Sequence, residues 1–322
     1  MSFKFYLFLI VAFILLALVA VSSGGASISL GDIVKFFTFG ELDETKELIL
    51  TQMRLPRLVL GILIGALLAT SGVVVQSVFL NPLADPYIIG IASAATFGAV
   101  IAYLLGLSDV FYGIFAFLAA SGLSLVIFKL AAHTRSISTL LIVGIAVSSF
   151  LGAFTSFAVY LIGEDSFRIT AWMMGYLGGA NWQKIALLLP PLLFCMAYFY
   201  AKRHELNIIL NGDEEAKSLG LNVEKSKKSL LIASSLIIGF SVAFTGMIGF
   251  VGLIIPHTLR MALHTASNAV LIPASALTGG VFLVFCDVIA KNALSPVEIP
   301  IGVVTSFFGA PFFLYLAFRK HA

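Results

Sequence analysis

The residues that most often do chemistry are few in this sequence, and their spacing argues against catalysis. Gly212-Asp213-Glu214-Glu215-Ala216-Lys217-Ser218 ends like a phosphate-binding loop. It lacks the second Gly that lets backbone amides wrap a phosphate, so the chain is not expected to bind nucleotide. His204-Glu205 does not continue into a zinc-binding HExxH helix, and no GxSxG nucleophile elbow occurs. Cys195 and Cys286 stand in apolar runs without a CxxC or CxxH neighbour. They read as two inert buried thiols, not a metal or redox site. Asp287 lies inside an apolar run and Glu298 near the edge of another. Embedded carboxylates mark ion pathways, but one Asp is thin support for ion coupling. The energy for any transport is expected to come from elsewhere, and no cofactor is called for.

The elements that must position these residues belong in lipid. The chain has 322 residues, of which 60% are hydrophobic and 11% charged. A soluble domain carries about 25% charged residues, and the mean hydropathy here is +1.07. That excludes a soluble enzyme and a disordered chain. The apolar runs are continuous and do not alternate, which points to helices and not to a barrel. Ten segments can be marked: Phe5–Val21, Leu58–Phe79, Ile88–Leu105, Val110–Leu130, Ile137–Ile162, Ile185–Tyr200, Ser229–Ile248, Phe250–Leu263, Ala269–Ala290 and Ile301–Phe318. The first is too long for the core of a signal peptide and is taken as an uncleaved span. The eighth is short and follows the seventh almost directly. Gly61 and Gly65, and Gly246, Gly249 and Gly252, repeat at spacings that let helices approach closely. The expected fold is all-α and polytopic, a single membrane domain over residues 1–322.

Lys and Arg set the orientation. With an even number of spans, twelve fall on the side of both termini and seven on the other. Both termini are therefore expected in the cytoplasm. The net charge of +3 calls for no nucleic-acid partner; membrane lipid is the expected surroundings. Gly163–Lys184, outside, carries Trp172 to Gly179 and reads as a re-entrant or interfacial helix. Lys202–Lys228 is the largest inner connection and reads as two short helices around a turn at Gly220. Arg54 and Arg57 stand three apart across a Pro at an expected helix start, where the helix dipole disfavours cations. Charges so placed suggest an outside partner.

Specific strings then resemble a known family. They are Arg54-Leu55-Pro56-Arg57, Gln76 before Asn81-Pro82-Leu83-Ala84-Asp85-Pro86-Tyr87-Ile88-Ile89-Gly90, and Leu206-Asn207 before Gly212 to Gly220. Gly249-Phe250-Val251-Gly252-Leu253-Ile254-Ile255-Pro256-His257 before Arg260 follows, then Pro273 to Ala276, Glu298 to Thr305, and Gly309-Ala310-Pro311. From about Ser29 to the C-terminus this resembles the FecCD/BtuC family of ABC-importer permeases, which move iron–siderophore, haem and cobalamin.

The resemblance implies a type II importer fold with ten spans. It implies a second permease subunit, preferably an identical copy, two cytoplasmic ATPase subunits and an extracytoplasmic substrate-binding protein in the inner membrane system. It places Arg54, Arg57 and Lys291 where the binding protein docks, with Lys291 departing from the family's frequent Arg. It places the cytoplasmic gate at Asn81 and Leu83 and at Ser136, Ser138 and Thr139. It implies that the inner loop, at Asp213, Glu214, Glu215, Ala216, Leu219 and Gly220, contacts the ATPase. Thr155, Trp172, Met174 and Thr305 are candidate lining residues. Tyr87, after Asp85-Pro86, looks more like iron–siderophore members. The expected function is thus permease of an ATP-driven importer for an iron chelate. Cobalamin, haem or molybdate import, an ion-coupled carrier, and a non-transporting scaffold stand as alternatives.

Overall fold

A computed structural model describes residues 2–25, 28–40, 42–131 and 137–319 of the chain. It is built of helices, with no strand among the described residues. The first is α1 (Ser2–Ser22), followed by short α2 (Leu30–Phe39) and α3 (Glu44–Ile49), then α4 (Leu55–Val78), α5 (Ile91–Leu104), α6 (Asp109–Ala131) and α7 (Ile137–Ile162). Short α8 (Phe167–Met173) precedes α9 (Trp182–Ala201); short α10 (Arg203–Ile209) and α11 (Asp213–Ser218) precede α12 (Val223–Thr245). The chain closes with α13 (Val251–Leu263), α14 (Asn268–Asn292) and α15 (Ile301–Arg319). Among the described residues, six helices are long and apolar enough to cross a membrane, and four shorter apolar ones, α13 among them, bring the set to the ten segments marked in the sequence.

The second span differs from its expected start at Leu58. Helix begins at Glu44 and runs on to Val78, with one π turn at Leu50–Arg54. Pro56 has no N–H to return to the fourth residue before it. The wider turn, closed by Leu55 N–H onto Leu50 C=O, takes the chain past that gap. Arg54 and Arg57 are therefore inside a helical run and not at its start, and the dipole argument made for them does not apply.

α4 is the axis of the fold, and 18 of its residues, from Pro56 to Val78, are buried. Lipid offers no hydrophobic drive between helices, so close backbone contact must hold them. A Cβ on Gly65 would run into the Gly279 carbonyl on α14, and one on Gly72 into the Gly252 carbonyl on α13. These glycines serve packing, as expected. Cys195 and Cys286 are free and buried.

Two inner-loop details sharpen the expectation. The break between α10 and α11 is Gly212 (φ +106), not Gly220. Gly220 (φ +82) ends α11, where Leu221 N–H reaches Ala216 C=O at 3.1 Å and Gly220 N–H reaches Lys217 C=O at 2.9 Å. That is a left-handed helix stop suited to Gly.

Candidate functional site

An apolar cavity of about 760 Å³ is lined by residues of four segments. Leu83, Asp85 and Tyr87 come from the connection after α4; Met174 follows α8; Met247, Gly249, Phe250 and Leu253 surround the α12–α13 break; Gly302, Val303, Ser306 and Phe313 lie on α15. Among the described residues, its wall holds one carboxylate and no Lys, Arg or His.

Helix ends meet along this wall and satisfy one another's orphan backbone groups. Ile301 N–H donates to Gly175 C=O and Gly302 N–H to Met174 C=O, both at 3.0 Å, while Tyr176 N–H reaches Thr245 C=O at 2.8 Å. The segment after α8 thus bridges the end of α12 and the start of α15. The re-entrant or interfacial helix expected from its composition is the short α8, and the bridge follows it.

The 79–90 connection is stiffened by its own side chains. Asn81 Oδ1 accepts Leu83 N–H at 2.9 Å, and Asp85 Oδ1 accepts Tyr87 N–H at 2.8 Å. Asp85 also accepts the backbone N–H of Phe250, the residue that opens α13 with φ +68. Burial pushes the Asp85 carboxyl up to about 6, against the pull of these two donors. Gln76 holds the same break from α4: its amide donates to the Gly252 and Leu253 carbonyls, each at 3.2 Å, and its oxygen accepts from Arg260.

At the other end the sparse charges gather. Arg57 grips Asp287 with Nε at 3.0 Å and Nη2 at 2.9 Å from Oδ1, and its Nη1 lies 2.9 Å from Glu298 Oε1. Lys291 Nζ is 3.6 Å from Asp287 Oδ2 and donates to Ala20 C=O at 2.8 Å. Arg54 donates to the Val21 and Ser22 carbonyls. The last carbonyls of α1 thus receive two cations, which the negative end of a helix favours. Asp287, expected as an isolated carboxylate, is the anion of a buried ion cluster.

Beside the 202–228 connection, Asn268, wholly buried, donates its backbone N–H and its amide to Asn207 Oδ1 at 2.8 and 2.9 Å. Its own oxygen lies 3.2 Å from Ser77 Oγ. One polar chain therefore joins α10, the start of α14 and the last turn of α4, four residues before Asn81. Asp213 pairs with Lys227 at 2.6 Å, and Glu205 takes hydrogen bonds from Lys202 and Ser226, each at 2.5 Å. Burial pulls the Glu205 carboxyl upward, but these two donors outweigh it and hold it below its ordinary range.

The candidate residues divide accordingly. Leu83 and Met174 share the cavity wall; Asn81 is exposed beside Leu83 and shapes the loop. Thr155 and Thr305 are buried and donate to Leu151 and Gly302 carbonyls, and Trp172 packs edge-on against Tyr112 at 6.4 Å. Ser306, one residue beyond Thr305, faces the cavity instead. Ser136 lies outside the described residues; Ser138 and Thr139 fall in the first turn of α7. Leu219, Glu214 and Glu215 are exposed, whereas Ala216 is buried under them. Arg54 and Lys291 are buried and Arg57 nearly so, all three holding partners within the chain. Met247, Phe250 and Ser306 were not anticipated as lining residues. For the first two, the only signal was the Gly246/Gly249/Gly252 spacing around them.

Ten apolar helices among the described residues, with a cavity at the α12–α13 break, define a membrane permease. A solved structure described as an inward-facing conformation of a metal-chelate type ABC transporter superposes with a TM-score of 0.86 at 31% identity, covering 98% of this chain and 99% of that one. The FecCD transport family matches residues 9–319, and the chain belongs to it. Among its relatives, the cobalamin import system permease protein BtuC of Halobacterium salinarum is 42% identical over 278 residues, 85% of this chain and 74% of the relative. The hemin transport system permease protein HmuU of Yersinia pestis is 35% identical over 327 residues, 97% of this chain and 95% of the relative.

Proposed function

We propose that this ABC-importer permease passes a bulky metal–organic chelate, read from Tyr87 as an iron chelate, through the inner membrane. The observation that carries the reading is the cavity wall. It is apolar, with one carboxylate and no cation, over about 760 Å³. A small oxyanion such as molybdate would meet a carboxylate there without a compensating cation. A large chelate whose charge is shared over many ligand atoms loses little in such a wall and is not held tightly. Tyr87 lines this wall. A second reading, cobalamin, rests on the name and 42% identity of the Halobacterium relative.

A second copy across a two-fold axis completes the passage. Leu83 of each copy closes the inner end. The α10–α11 pair, with Leu219 and Glu214 exposed, seats against a cytoplasmic ATPase, and both chain ends face the cytoplasm. The binding protein docks at the outer ion cluster. Arg57 and Glu298 offer it the most accessible charge there, and Arg54 and Lys291 hold α1 beneath. Reconstituted importer loaded with ferric siderophore, haem, cobalamin or molybdate tests the substrate. Uptake of one of the chelates but not molybdate is expected, and the chelate taken up separates the two readings. Uptake of molybdate alone would overturn the chelate class.

A further inference from the structure

We propose that α2 lies in the outer surface of the bilayer as an interfacial helix, with Leu30, Val34 and Phe37 set among lipid chains. At roughly 100° per residue, Phe36, Ile33, Phe37, Leu30 and Val34 follow one another around an apolar arc of roughly 160°. The protein covers only part of that arc. Ile33 is buried with Val21, Ile28 and Leu50, and Phe36 packs against the same cluster beside Leu55 and Leu58. The rest of the arc is bare: Leu30, Val34 and Phe37 are 55%, 59% and 67% exposed.

Gly31, Asp32, Lys35 and Thr38 occupy the remainder of the circumference, together with Phe39, which is 76% exposed at the last position of the helix. Asp32 pairs with Lys46 at 3.0 Å. Asp32 also closes a capping box with Ser29, so the helix is fixed at its start independently of any partner. Position along the membrane normal comes from the cluster itself. Val21 ends α1, and Leu55 and Leu58 open α4, so α2 rests where two spans leave the bilayer.

α2 packs on the end of α1 through Val21 and Ile33, and Leu15, Leu18 and Val19 of that span are exposed and face lipid in an integral membrane protein. Trp182, half-exposed, donates its indole N–H to Thr51 C=O at 2.8 Å beside this helix. A Trp with one wet edge marks the interface level. An amphipathic helix at that depth buries its apolar face among headgroups and acyl chains.

Spin labels on the full-length chain in nanodiscs of phosphatidylethanolamine and phosphatidylglycerol test this directly. Val34→Cys and Lys35→Cys are labelled on the two faces, with Leu15→Cys as the lipid-facing reference; Cys195 and Cys286 are buried. Power saturation with oxygen and a water-soluble nickel chelate is then measured. The label at 34 is expected to show an oxygen-to-nickel ratio several-fold above that at 35, approaching that at 15. Equal nickel access at 34 and 35 would overturn the proposal. Shielding of 34 from both reagents would also overturn it, because a protein surface and not lipid would cover the arc.

Discussion

Replacing Asp287 with Asn removes the anion from the outer ion cluster while keeping its shape. The carboxylate is 5% exposed, takes two strands of the Arg57 fork and faces Lys291 at 3.6 Å. Breaking a buried pair by neutralising one member leaves the other as an uncompensated charge, at a cost of about 3–5 kcal/mol. Two cations are stranded here, but Arg57 retains Glu298 and Lys291 retains the Ala20 carbonyl. The loss should therefore lie near the lower figure, about 3 kcal/mol, or more than a hundredfold in the folding constant. Glu298→Gln provides the contrast. That carboxylate is 35% exposed, and an exposed pair contributes about 0–1 kcal/mol. Both variants are unfolded reversibly in mixed micelles by sodium dodecyl sulfate. Joint replacement of Arg57 by Met and Asp287 by Leu should recover part of the Asp287→Asn loss, because no charge is then left unpaired. Equal costs for Asp287→Asn and Glu298→Gln would refute the view that this pair fastens α4 to α14.

Cysteines at position 83 of two copies should cross-link in the resting state and stop flux; absence of a cross-link in every nucleotide state would mean that the two Leu83 loops do not meet. Gly220→Val should cost about 1–2 kcal/mol, since a side chain must adopt φ +82. Insertion should survive, while binding protein no longer stimulates ATP hydrolysis in the assembled importer; normal stimulation would remove the inner loop from coupling. Asp85 titrates at about 6 when folded against an ordinary 3.8. Between these values the folded chain holds a proton that the unfolded chain has released, so the contribution of Asp85 to stability is fully present below 3.8 and is lost as pH rises through about 6. Asp85→Asn should flatten the pH dependence of unfolding in that window; an unchanged slope would place the carboxyl in water.

Much of this fold was legible because apolar run length is a local property. Each of the ten segments needed only its own residues to be found, and the short eighth, Phe250–Leu263, became α13. The left-handed stop at Gly220 was likewise local. What stayed hidden was pairing at long range. Arg57 and Asp287 are 230 positions apart, and nothing in either neighbourhood names the other. Arg57, read from the sequence as a docking charge, and Asp287, read as a lone embedded carboxylate, are paired with each other in the fold. The α2 arc escaped notice because a ten-residue helix is too short to register as a span, and its polar side resembles loop. Thr305 and Ser306 were indistinguishable in sequence. Their separation by one helical step, one buried and one facing the cavity, depends on how α15 is rotated against α13 and α14.

The most direct measurement of the central claim is uptake into proteoliposomes holding this chain with its partner ATPase, with substrate-loaded binding protein outside and ATP inside. The account predicts accumulation that requires hydrolysable ATP and the binding protein, and that a protonophore leaves intact. Accumulation that persists without ATP and collapses with the protonophore would contradict it, and would make Asp287 an ion-coupling residue after all.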